Sequence, residues 1–534
     1  MSSGQEFDAV IVGAGISGMY QLHKLREIGL TAKVFETGTG VGGTWYWNRY
    51  PGARFDSESV SYGYSFSEEL LQEWNWSEHF SPQPDNLKYL NYVADKFDLR
   101  QDIQFSTRVV SAHYAEDENK WTVTTDDGKA TKCQFFITAV GVLSTPFIPE
   151  IPGLKNFTRA SWHTANWPKE RVAFEGKRVG VIGTGATAVQ LIPEIAKTVG
   201  ELTVFQRTAN FCKPIGNRPI TDAEQKEIKA NYPAIFQRCK ETFGSFLADF
   251  EKRSAFDVTP EEREARYEEL WNEPGFGFWL GTYEDILTDL KANETQAEFV
   301  RKKIRSRVHD PKVAEMLSPK GHPFGTKRVP LENGYYEVYN QSNVELVDIK
   351  ATPIEMVTAS GLKTTEKEYE FDMLLLATGF DTVTGSLDRI EIRGSGGVAL
   401  KEKWVDGPKT YLGMGSSGFP NMFTVVGPHN GATFCNIPRC IEQNVEWVTD
   451  CIKYMNESGI SRIDPNKDAE EEWTAHVQDV ASGSLFSKAD SWFMGANIPG
   501  KPRQMYLYAG GSPLYRKTCD RVAENNYEGY TLEK

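Results

Sequence analysis

The chain has 534 residues, 25% of them charged, and a formal net charge of −14. That length exceeds what one hydrophobic core supports, so two or three domains are expected. The acidic balance argues against nucleic acid or an anionic membrane surface as partner, and no apolar stretch approaches the length that spans a bilayer. The N-terminus has no basic start or apolar signal core and the C-terminus carries no familiar address, so a cytoplasmic protein is the default expectation. Seven cysteines without paired spacing predict reduced thiols. The absence of Cys-x-x-Cys argues against a dithiol reductase. No His/Cys cluster has metal-ligand spacing, so no metal is expected.

Residues 7–45 read as strand, glycine turn, helix, strand. The apolar run Ala9–Val12 leads into Gly13-Ala14-Gly15-Ile16-Ser17-Gly18, and Glu36 closes the next strand 23 residues after the first glycine. The same unit recurs downstream. Val179–Ile182 leads into Gly183-Thr184-Gly185-Ala186-Thr187-Ala188, and the strand ending 23 residues later reads Gln206-Arg207-Thr208. In each copy the first glycine permits a tight turn and the second lets the backbone approach a pyrophosphate. The third small residue brings helix and sheet together, with the pyrophosphate at the helix N-terminus. Glu36 offers a carboxylate to a ribose hydroxyl pair, whereas Arg207 offers a guanidinium to a phosphate. Two sites of opposite charge preference predict two cofactors, FAD and NADPH.

Between the two units, strands are expected at Trp121–Thr124 and Gln134–Gly141, and the Pro146–Pro152 stretch reads as a hinge. Residues 221–324 are rich in Glu, Lys and Arg with helical spacing, and read as a helical insertion with solvated charged faces. Strand patterns return at Val344–Val347, Asp372–Phe380 and Met422–Gly427, and a helix begins near Ile441. The expected architecture is α/β: two nested Rossmann-like dinucleotide-binding domains and a mainly helical insertion. The first domain takes residues 1–145 and 387–534. The second takes 150–220 and 325–382.

Two further segments are specific: Gly42-Gly43-Thr44-Trp45-Tyr46-Trp47-Asn48-Arg49-Tyr50-Pro51-Gly52-Ala53-Arg54-Phe55-Asp56 and Phe157-Thr158-Arg159-Ala160-Ser161-Trp162-His163-Thr164-Ala165-Asn166-Trp167-Pro168. They resemble the fingerprints of Baeyer–Villiger monooxygenases, closest to the cyclohexanone monooxygenase branch. The second departs at Arg159, where the family has glycine, which raises the question of the local turn. The resemblance extends from residue 7 to about residue 516.

That resemblance implies NADPH- and O2-dependent conversion of a ketone, preferentially cyclic, to an ester or lactone through a C4a-peroxyflavin and a tetrahedral adduct. It assigns Arg328 as the catalytic cation and Asp56 as the carboxylate that holds it. His163 is implied as a conformational, hinge-region residue. FAD is expected on Gly13, Gly15, Ser17, Gly18, Glu36, Gly43, Thr44, Trp45 and Asp56. NADP is expected on Gly183, Thr184, Gly185, Thr187, Ala188, Gln190, Arg207, Thr208, Lys327 and Trp492. The ketone pocket is placed near Val142-Leu143, Phe434-Cys435-Asn436 and Ser512-Pro513-Leu514. No feature sets an oligomeric state, and a monomer is the default. Two rival readings stay open. One is a related flavin monooxygenase acting on amines or sulfides, and the other is a non-catalytic, nucleotide-dependent redox sensor.

Overall fold

A computed structural model describes residues 5–431 and 435–534. Two sheets organise it. The first has eight strands, ordered Glu391–Arg393, Val109–Ala115, Lys120–Thr125, Ala130–Thr138, Gln5–Val12, Ala32–Phe35 and Ile103–Gln104, with Met422–Thr424 also paired to Ala130–Thr138. Its centre is parallel: Gln5–Val12 lies between Ala32–Phe35 and Ala130–Thr138. The second sheet has five strands, all parallel, in the order Val344–Asp348, Glu201–Gln206, Arg178–Ile182, Met373–Leu376 and Ala160–His163. Parallel strands covered by helices on both faces read as continuous apolar runs. Val10, Ile11, Val181 and Leu375 are fully buried accordingly.

The chain crosses between the sheets twice, and the crossings pair with one another. Thr145–Pro146 runs antiparallel to Phe380–Asp381. The Pro-rich stretch expected to be a hinge begins in this two-stranded crossing. Late strands return to the first sheet: Glu391–Arg393 pairs Val109–Ala115, and Met422–Thr424 pairs Ala130–Thr138.

Residues 222–317 fold mainly as helices, including Asp222–Glu241, Pro260–Asn272 and Leu290–Arg307. Two of them start on capping boxes, Thr221 with Glu224 and Thr259 with Glu262, which satisfy N–H groups otherwise left open. The charged faces are exposed and joined by pairs such as Lys303–Glu268.

One expectation needs correction. Cys435 and Cys440 are paired as a disulfide, so five of the seven cysteines are free, all of them buried. Cys435 lies just before the helix Ile437–Ser458 and Cys440 in its first turns. Among the described residues no group of His, Cys, Asp and Glu is placed to hold a metal, and no helix is long and apolar enough to cross a membrane.

Candidate active site

The two glycine loops are built by the same contacts. Gly13 has φ +103° and donates its N–H to the Phe35 carbonyl at 2.8 Å; Gly183 has φ +110° and donates to the Phe205 carbonyl at 3.0 Å. A Cβ on Gly13 would lie 2.6 Å from the Ala139 carbonyl oxygen, and one on Gly183 would lie 2.3 Å from that of Ala377. Both positions therefore require glycine. The loops then diverge. A Cβ on Gly18 would sit 1.8 Å from the Gly13 carbonyl oxygen, whereas Ala188 carries its methyl, fully buried, at the corresponding place.

In the first unit Glu36 is buried, and its carboxylate accepts the N–H of Ala14 at 2.8 Å and of Gly38 at 2.6 Å. These bonds fix its orientation and leave lone pairs for ribose hydroxyls. Gly43 lies over the loop: a Cβ there would meet the Gly15 Cα at 2.8 Å. The close approach of two glycine backbones, with Ser17 buried behind them, makes a cradle suited to a pyrophosphate. Thr44 starts the short helix Thr44–Trp47 above it. Trp45 is buried, packed edge-on against Phe55 and Tyr62, with its indole N–H donating to the Tyr62 hydroxyl at 3.0 Å. Trp47, by contrast, is 38% exposed.

In the second unit Thr184 caps the loop, its hydroxyl donating to the Thr208 carbonyl at 2.9 Å. Nothing lies within 4 Å of a Cβ placed on Gly185, so open space faces the loop. Arg207 is exposed. Lys327 is half-buried, and burial together with the Arg207 guanidinium beside it pushes its ammonium down to about 8. Neither cation has a hydrogen-bond or ion-pair partner among the described residues. Two adjacent unpaired cations repel, and a phosphate monoester relieves that repulsion. The donor sets of both loops thus fit FAD in the first and NADP in the second.

Gln190 makes two side-chain contacts outside its own unit. Its side-chain oxygen accepts the Tyr50 hydroxyl at 2.8 Å and its amide donates to the Arg54 carbonyl at 2.9 Å. A Cβ on Gly52 would stand 2.4 Å from the Gln190 carbonyl oxygen. Gln190 therefore joins the first fingerprint to the helix Ala186–Ile195 of the second unit.

That contact sets up the central pair. Asp56, at the end of the fingerprint, forms an ion pair with Arg328, which lies 272 residues away in sequence. The Asp56 side chain is 11% exposed and that of Arg328 is 35% exposed, so the guanidinium is held on one side and open on the other. Its carbon also sits 5.4 Å from the Phe276 ring centroid, a cation–π contact supplied by the insertion. Two residues on, burial pushes the Glu58 carboxyl up to about 7, and burial lowers Lys213 to about 8. No sequence pattern marks either group, because their surroundings come from the distant segment 273–276.

At the crossing, His163 ends its strand buried. Its Nδ1 accepts the Ala165 N–H at 3.1 Å, and burial holds its pKa down at about 4. The imidazole is thus neutral above that pH, stacked edge-on to Phe380 with centroids 6.0 Å apart. Trp492 lies half-buried against Phe493, and its carbonyl accepts from the Thr382 hydroxyl. The same segment is anchored by Lys501, which donates to Asp381 at 2.7 Å and to the Thr382 carbonyl at 2.6 Å. Lys501 carried no assignment from sequence. Arg159 takes a regular backbone and binds the Phe371 carbonyl and Asp372, each at 2.9 Å, so the position does not need glycine's freedom. Asn436 and Ser512 converge, donating their N–H groups to the Gly244 and Phe243 carbonyls. Phe434, placed at the pocket from sequence, lies outside the described residues.

The sequence profile of the flavin-binding monooxygenase-like family matches residues 8–213. The 2-oxo-Δ3-4,5,5-trimethylcyclopentenylacetyl-CoA monooxygenase of Pseudomonas putida is 46% identical over 98% of both chains. The chain belongs to the Baeyer–Villiger monooxygenases. Cyclohexanone 1,2-monooxygenase of Acinetobacter is 43% identical over 100% of this chain and 98% of its own. The crystal structure of OTEMO in complex with FAD and NADP superposes with a TM-score of 0.96 at 46% identity, covering 99% of this chain and 100% of that one.

Proposed function

We propose that this chain uses NADPH and O2 to convert a cyclic ketone to a lactone or ester, with FAD on the first glycine unit and NADP on the second. The observation that carries this reading is the Asp56–Arg328 pair, formed between the first fingerprint and the segment that follows the helical insertion. When bound, the flavin accepts hydride from the nicotinamide and activates O2. The protein's part is electrostatic. Ketone oxygenation builds negative charge on oxygen, and Arg328 supplies a cation that stays protonated at any working pH. Asp56 orients the guanidinium while leaving its open side free, and Phe276 holds it from the insertion side.

Gly13, Gly15, Ser17, Gly18, Gly43 and Thr44 form the proposed FAD pyrophosphate cradle, with Glu36 on the ribose and Trp45 in the wall behind. Gly183, Thr184, Gly185, Thr187 and Ala188 form the NADP cradle, with Arg207, Thr208 and Lys327 at the 2′-phosphate. His163 and Trp492 lie at the crossing, where a conformational role suits a neutral, buried imidazole better than proton transfer does. The domain division given by sequence, 1–145 with 387–534 and 150–220 with 325–382, remains our reading of the two sheets and their paired crossing. The supporting experiment is product mass after incubating FAD-loaded protein with NADPH, air, cyclic and linear ketones, an aryl sulfide and a tertiary amine. A cyclic ketone gaining one oxygen is expected, and oxidation of only the amine or sulfide would overturn the reading.

A further inference from the structure

Lys213 is the one buried lysine among the described residues, at 1% exposed. Its ammonium has no carboxylate partner among them. It donates instead to two backbone carbonyls, that of Pro214 at 3.0 Å and that of Glu273. Glu332, on the neighbouring strand, is taken by Arg307 at 2.8 Å. A buried charge without a counter-ion is costly, so its place calls for an explanation. Glu273 closes the C-terminal end of the helix Pro260–Asn272, where open carbonyls and the helix dipole favour a cation. Lys213 therefore staples the end of an insertion helix to the short strand Lys213–Pro214.

That strand lies between two segments of the site. On one edge it runs parallel to Leu331–Glu332, just beyond Arg328. The Lys213 N–H donates to the Pro330 carbonyl at 3.1 Å, and the Asn210 amide donates to the carbonyl of Arg328 itself at 3.5 Å. On the other edge the Gly275 N–H donates to the Ile215 carbonyl at 3.4 Å, and a Cβ on Gly216 would stand 3.2 Å from the Pro274 Cα. The turn 273–276 is thus pressed against the strand, with the Lys213 ammonium gripping its first residue. The fingerprint closes it from the opposite side: a Cβ on Gly275 would lie 2.6 Å from Glu58 Oε1. The last residue of the turn is Phe276, 1% exposed, whose ring lies 5.4 Å from the Arg328 guanidinium carbon.

We propose that Lys213 is a positioning residue for the oxygenation step: by holding the turn 273–276 it keeps the Phe276 ring against one face of Arg328. This rests on the reading of Arg328 as the cation that stabilises charge on oxygen. The test uses the full-length, FAD-loaded enzyme at saturating NADPH and a small cyclic ketone, and reads lactone formed per NADPH consumed, with hydrogen peroxide measured for the remainder. K213M keeps the length of the side chain and removes its donors. It lowers the lactone yield per NADPH about three- to tenfold, the scale of a partly desolvated cation–π contact, and leaves flavin content and the KM for NADPH unchanged. K213L takes its place should K213M not fold. F276L removes the ring and leaves the staple, and K213M combined with F276L yields no less lactone per NADPH than F276L alone, since both act through one contact. Wild-type yield from K213M, a raised NADPH KM with unchanged yield, or a K213M loss that persists undiminished in the F276L background would overturn the proposal. R328A separates the two claims. If it loses lactone and K213M does not, only the role of Lys213 fails. If R328A keeps the wild-type yield, the reading of Arg328 fails and this inference with it.

Discussion

The two glycine units share a backbone and differ in chemistry. Each first glycine presses on an alanine carbonyl, Ala139 or Ala377, and each donates to a phenylalanine carbonyl at the end of the neighbouring strand. At the third position one unit excludes a methyl and the other contains it. At the strand end, one presents a buried carboxylate already held by two N–H groups, and the other an exposed guanidinium paired with nothing among the described residues. The lesson is that the turn is a generic pyrophosphate cradle, while ligand identity is set by one or two side chains at its rim. The first unit is closed and preorganised, suited to a tightly held group. The second is open and electrostatically unsatisfied, suited to a ligand that exchanges.

The asymmetry can be broken in order of effect. Gly18→Ala should abolish FAD retention, read as loss of flavin absorbance in the purified protein, because its methyl has no space beside the Gly13 carbonyl. Arg328→Ala should keep the flavin and lower ester formation by about two to three orders of magnitude, the scale of removing one charge-stabilising donor. Arg207→Ala should weaken NADPH about ten- to hundredfold and leave NADH nearly unaffected, measured as the ratio of the two KM values. Equal losses would show that Arg207 does not meet the 2′-phosphate.

The next prediction is in pH. The Lys327 ammonium lies at about 8 in the protein, below its ordinary value. The charged form binds phosphate better, so NADPH affinity should fall as pH rises through about 8 and binding there should take up a proton. NADH affinity should stay flat over the same range. The smallest effect belongs to Ala188→Gly, which the second loop should tolerate at about 1 kcal/mol, since glycine in a helix interior mainly adds backbone entropy to the unfolded chain. A thermal melt with FAD bound reads it directly.

Much of this was legible in the sequence because the glycine units are local: strand, turn and helix are contiguous, and the distinguishing residue follows at fixed spacing. Arg207 and Glu36 could be read from the chain alone. Asp56 and Arg328 could not be connected from composition or periodicity, since 272 residues separate them; only the family resemblance joined them before the structure did. Contacts between units were hidden for the same reason. The bridges from the Gln190 amide to Tyr50 and Arg54 are one such contact. Arg159 looked like a backbone problem and proved to be an anchor for Asp372. The unpartnered imidazole of His322 depends on how distant segments pack, which no local pattern encodes.

The measurement closest to the central claim is product mass under 18O2, with NADPH, a small cyclic ketone, and either the wild-type chain or Arg328→Ala. The account predicts a lactone carrying one 18O from the wild type, and from the variant NADPH oxidation with little or no lactone. Equal lactone from both would contradict the role of Arg328, and no labelled lactone from any ketone would contradict the proposed reaction.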